Sequence, residues 1–198
     1  MNAVKGDGFF ARRVGDHYDF VKLDYANAIY WYTIGAENDN LSSQQALYIH
    51  FLAYKQNNDF LLRGIFWVYK LAVVGYPEVG VSERALECHG YTLETARPPD
   101  DALFPFNYVT LSEQVQEQCK EGALKGSGKA ALIMAQYFSE TAKDAGSAEY
   151  WYQIGAQNGN VECQYQYGSI LAKKSDKLDK ERGNFWHIRA LENGYIMP

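Results

Sequence analysis

Tyr30-Trp31-Tyr32-Thr33-Ile34-Gly35-Ala36-Glu37-Asn38 returns 120 residues later as Tyr150-Trp151-Tyr152-Gln153-Ile154-Gly155-Ala156-Gln157-Asn158, with seven of nine positions identical. A nine-residue match that contains Trp and two Tyr is a sign of internal duplication, and a repeat decides the fold before local propensity does. The match extends backwards. Asp24 and Ala28 stand seven and three positions before Trp31, and Asp144 and Ala148 stand likewise before Trp151.

The pattern recurs with weaker identity. Trp67 has Gly64 at −3, Ala72 at +5 and Gly75 at +8, and Trp186 has Asp179 at −7, Gly183 at −3 and Gly194 at +8. A fifth copy replaces Trp with Gln118, followed by Ala123 and Gly126 at the same spacings. The physics is helical. Asp caps the N-terminus, residues at −3, 0 and +5 lie near one face, and Gly at +8 supplies the left-handed stop. A second helix precedes each of these. Its small–small–large pattern at 0, +5 and +8 gives Phe10/Gly15/Tyr18, Ala46/Phe51/Tyr54, Ala85/Gly90/Leu93, Ala130/Ala135/Phe138 and Cys163/Gly168/Leu171. Phe10 and Phe51 break the small-residue rule. The chain is therefore expected to be all-α, a single repeat domain over 1–198 made of five helix pairs. The repeats fall at about 5–39, 40–76, 77–126, 127–160 and 161–195, and the third carries an insertion at 97–110.

These residues resemble Sel1-like repeats, relatives of tetratricopeptide repeats, through the Asp…Ala-x-x-Trp-Tyr…Ala…Gly helix and the helix before it. The likeness is specific in copies one, four and five, and weaker in two and three. The Gly-rich loop usual between the paired helices is degenerate here, so the chain looks like a diverged member. The resemblance implies a right-handed α/α superhelical solenoid whose first helices line a concave protein-binding groove. It also implies the functions such arrays serve: adaptor, signalling regulator, or bacterial immunity protein that neutralises a toxin or secreted effector.

Composition narrows the partners. The 198 residues carry 19 basic and 24 acidic side chains, a formal charge of −5. That argues against nucleic acid and for a basic protein partner. Residues 1–25 hold charges throughout and no apolar run, so neither a signal peptide nor a membrane span is expected, and a cytoplasmic location follows. Cys88, Cys119 and Cys163 are odd in number and widely spaced, which fits small buried residues rather than a disulfide framework or a zinc site.

Enzyme signals are thin. Gly126-Ser127-Gly128-Lys129 lacks the full phosphate-loop spacing, and no Gly-x-Ser-x-Gly, Ser-x-x-Lys or His-Glu-x-x-His occurs. His50 and His89 fall at equal positions of their expected helices, which would matter only if a pocket joined them to a carboxylate; His17 and His187 read as solvated or flanking. No catalytic residue, cofactor or metal is expected. A hydrolase remains a third reading, behind an immunity protein and a general scaffold.

Positions +2 and +6 of the first helices leave the buried stripe. They name Arg12 and Asp16, Tyr48 and Leu52, Glu87 and Tyr91, Leu132 and Gln136, and Tyr165 and Ser169; Asp19, Lys55, Glu94 and Ser139 lie one row deeper. From these, Arg12, Asp16, Tyr48, Glu87, Tyr91, Glu94, Gln136 and Tyr165 are the partner-binding candidates, aromatic anchors mixed with charges that choose the partner. The insertion adds Phe104, Phe106 and Tyr108. Its prolines Pro98, Pro99 and Pro105 forbid a continuous helix, and the aromatics either plug the core or project to a partner.

Overall fold

The structure, a computed structural model, describes residues 7–53, 57–76 and 79–196. Among these residues there are eleven α-helices and no strand. The chain divides into two compact units, Met1–Arg97 and Pro98–Pro198.

The first unit holds α1 (Gly8–Asp16), α2 (Tyr25–Glu37), α3 (Leu41–Ala53), α4 (Asn58–Val73), α5 (Val79–Cys88) and the single turn α6 (Leu93–Ala96). From α1 to α5 each helix packs on the next in sequence. Its core gathers Tyr32, Leu47, Ile65, Trp67, Leu71 and Leu86, all nearly inaccessible. The second unit holds α7 (Glu113–Leu124), α8 (Gly128–Gln136), α9 (Ala145–Gln157), α10 (Val161–Ala172) and α11 (Lys177–Glu192), again packed in succession. Leu124, Ala131, Trp151, Tyr167, Leu171 and Trp186 are buried there. The division falls inside the third expected repeat, which leaves α5 in one unit and α7 in the other.

Caps set the helix boundaries. Asp24 and Asp144 accept amide hydrogens at the starts of α2 and α9, as their spacing predicts. At α11 the cap is Asp176, not Asp179, which lies in the first turn. The +8 position is left-handed in every copy: Asp39, Gly75, Gly126, Gly159 and Gly194 all have positive φ. Gly90 differs from its expected role. Its φ of +79° ends α5, so it stops the helix instead of packing inside it, and Leu93 opens α6.

The duplication extends to irregular features. A π-helical turn, His17–Lys22, follows α1, and another, Tyr137–Thr141, follows α8. Each is followed by a non-glycine residue in the left-handed region, Leu23 (φ 53°) and Lys143 (φ 57°). The amides of Asp24 and Asp144 then donate to the carbonyls of Tyr18 and Phe138.

Three tryptophans are buried, Trp67, Trp151 and Trp186 at 2, 6 and 1% exposure. Trp31 is half-buried, against Ala11 and Ile34, so it does not share their core role. The cysteines divide similarly: Cys119 and Cys163 are buried, and Cys88 is exposed. Among the described residues no helix is long and apolar enough to cross a membrane.

Candidate functional site

The register of the first helices is fixed by their caps. The amide of Phe10 donates to Asp7, that of Ser43 to Asn40, that of Ala130 to Ser127 and that of Cys163 to Asn160. These four residues are therefore equivalent. Position zero of α3 is Ser43, one helical turn before Ala46. Gly35 and Gly155 confirm it, because a Cβ on either would collide with Ser43 and Cys163 respectively. With this correction Tyr48 stands at +5, on the buried stripe, and it is 6% exposed in the core of the first unit. The residues at +2 and +6 of α3 are Gln45 and Ile49.

Those positions meet their counterparts on α1. Arg12 Nε lies 2.8 Å from Asp16 Oδ1, one turn along the helix. Arg12 also donates to the Ser42 carbonyl and stacks over the Tyr32 ring, 4.9 Å from its centroid. The buried Tyr32 hydroxyl lies 2.9 Å from Asp16 Oδ1 and 3.0 Å from Asp19 Oδ2, so one proton is shared between two carboxylates. His50 Nε2 stands 2.9 Å from the same Asp19 oxygen. Burial, then the bond to Asp16 and its charge, push the Tyr32 phenol far above its ordinary range, so it stays a neutral donor.

This chain of five polar side chains borders an open cavity of about 480 Å³, lined by Arg12, Asp19, Phe20, Tyr25, Gln45, Ala46, Ile49, His50 and Ala53. The rim is apolar and wet: Phe20 is 71%, Ile49 53% and Tyr25 48% exposed. Three exposed large apolar groups thus surround one polar floor.

The second unit shows what the same positions look like without it. At the 120-residue offset Arg12, Asp16, Asp19 and His50 become Leu132, Gln136, Ser139 and Ile170, and Tyr25 becomes Ala145. Tyr152 keeps the place of Tyr32 and bonds Ser139. Glu140, in the place of Phe20, accepts from Tyr108 at 2.9 Å. The fold therefore does not need the charged cluster, which belongs to the first unit alone of the two.

The remaining candidates scatter. Tyr91 is half-buried against the first core, and Glu87 and Glu94 are exposed at the far end of that unit. Gln136 is half-buried in the second unit. Tyr165 is occupied, stacked on Tyr195 at 4.2 Å and beside His187 at 5.0 Å. Phe104 plugs: it is 6% exposed over Gly122, where a Cβ would strike its ring, while Phe106 and Tyr108 are half-buried. Asp101 holds this segment down through Ser127 Oγ at 2.6 Å. Tyr54 and Lys55 lie outside the described residues. His89 sits in the turn that closes α5 and is not among the residues that line the cavity with His50.

Two groupings escaped the sequence reading. The Asp19–His50 pair spans 31 positions, so a search at i±3 and i±4 passes over it. Ser169 Oγ and His187 Nε2 lie 3.0 Å apart, a hydroxyl–imidazole pair made possible by Gly168, where a Cβ would stand 2.6 Å from His187 Cδ2. Among the described residues, no three His, Cys, Asp or Glu side chains come together as metal ligands. No protein-family model matches the chain, and no curated protein or solved structure does so either.

Proposed function

We propose that this protein is a diverged Sel1-like array, five helix pairs wound into a right-handed α/α superhelix. Its task is to hold one basic protein partner in the cytosol and neutralise it, as an immunity protein does a toxin or secreted effector. It works without catalysis, cofactor or metal. The observation that carries this reading is the exposed Phe20–Tyr25–Ile49 rim around the Asp19–His50 floor, a set of anchors on helices that hold them in place.

The Ser169–His187 pair is what favours a hydrolase instead. Against it, among the described residues His187 has Ser169 as its hydrogen-bond partner and no carboxylate to orient it.

A photo-crosslinking residue at position 49, in cells that make the protein naturally, tests the proposal. One dominant protein adduct is expected, weakened by Phe20→Ala and missing when the probe stands at the exposed Ile188 of α11. Co-expression should relieve the toxicity of the captured protein. Diffuse adducts of equal yield from both probes would refute it. One adduct without relief of toxicity would replace the immunity reading with a general scaffold.

A further inference from the structure

The floor of the first unit's cavity leaves one acceptor unused. Tyr32 and His50 both approach Oδ2 of Asp19, and Oδ1 has no partner among the described residues. That oxygen is reached from solvent through the open cavity, so a donor N–H carried in from outside can bind it there. We infer that the cavity receives a cationic side chain, lysine or arginine, carried by the protein partner, with Asp19 Oδ1 as its acceptor. This rests on the proposed function, since it names the partner's chemistry at the same site.

Two observations give the sign of the ligand, and a third fits its stem. Arg12, the cation on the lining, is already committed: Asp16 takes its Nε–H, the Ser42 carbonyl takes a second donor, and the Tyr32 ring covers its face. An anion entering here would meet Asp19 and find that guanidinium occupied. The walls are aromatic, with Phe20 and Tyr25 on the lining and the His50 ring 5.9 Å from that of Tyr25. Aromatic faces attract ammonium and guanidinium groups and repel carboxylates. Between rim and floor, Ala46, Ile49 and Ala53 form an apolar sleeve suited to the methylene stem of Lys or Arg.

The internal copy argues the same way. With Ser139 in place of Asp19 and Ile170 in place of His50, the second unit has neither the carboxylate nor the imidazole that holds it. The formal charge of −5 adds a field that draws a basic partner to the cavity mouth.

The test uses the full chain and a small probe, followed by NMR. Acetyl-arginine amide should shift the signals of Tyr25, Ile49 and His50 saturably, with affinity on the order of millimolar for a lone side chain. Acetyl-citrulline amide, the same shape without charge, should bind about tenfold or more weaker, and Asp19→Asn should lose about as much, a difference near 1.4 kcal/mol. Phe20→Ala, at a highly exposed position that leaves the core intact, keeps the test open if Asp19→Asn misfolds; it should weaken the probe several-fold. Equal binding of citrulline and arginine, preference for acetyl-glutamate amide, or absence of saturable shifts at these residues would overturn the inference. Probe binding without a crosslinked partner would sink the proposed function and leave the cation site standing. A crosslinked partner without charge discrimination would do the reverse.

Discussion

The ring of Tyr32 lies against Gly15, so closely that a methyl group on the glycine would sit inside its Cδ1 and Cε1. This contact positions the hydroxyl that reaches Asp16 and Asp19. Gly15→Ala must push the ring aside, and it is expected to cost about 1–3 kcal/mol in urea unfolding. Gly146→Ala is the control. Its nearest neighbour would be Asp144 Oδ1 at 3.5 Å, so its effect should stay within about 1 kcal/mol of neutral and can be stabilising.

The tryptophans should separate by burial. Trp67→Ala removes a ring that is 2% exposed and should cost about 3–5 kcal/mol. Trp31→Ala removes a half-buried ring and should cost roughly half that. Denaturant titration of both variants checks the assignment, and equal losses would contradict it.

Thiol chemistry gives a faster check. Cys88 is exposed and should react with an aromatic disulfide reagent in the native state. Burial pushes the Cys119 thiol up to about 11 and the Cys163 thiol well above its ordinary value. Both should react only after denaturant is added. Three fast thiols in native buffer would mean that the packing of α7 and α10 is wrong.

Alkali should unfold the protein through its buried phenols. Burial, first among its causes, pushes Tyr152 up to about 12, and Tyr32 is raised further. In the unfolded chain both ionise near 10. Stability should therefore be level below about pH 10 and fall as pH rises towards 12, by on the order of 1–3 kcal/mol for Tyr152. Tyr152→Phe should flatten that slope, and an unchanged slope would show that this phenol is not buried in solution.

The all-helical class was legible because Trp, Gly and Asp recur at fixed spacings, and most of those residues do the capping and filling that spacing implies, Trp31 and Asp179 excepted. The site was half legible. Arg12 and Asp16 came from counting along α1, where Asp7 and Phe10 set the count. Tyr48 came from the same count on α3 begun one turn late, at the small residue Ala46 in place of Ser43. The signal that corrects it was present: Asn40 and Asn160 stand at the same 120-residue offset as the tryptophans and cap Ser43 and Cys163. The Asp19–His50 contact was not legible, since it depends on how α1 and α3 come together and no local spacing encodes it. Phe104 was open between plugging and projecting because proline fixes the backbone, not the direction of the next side chain.

The wide turns after α1 and α8 bear on any attempt to engineer or align this chain. Each holds one residue more than a regular turn, so it acts as an insertion written inside a helix. Deleting one residue within His17–Lys22 would restore ordinary winding, and the side chains on one side of the cut would swing by about 100° relative to those on the other. Asp19 could then no longer meet Tyr32 and His50 from its present face. A comparison that scores gaps as defects would remove the very residue that aims the carboxylate.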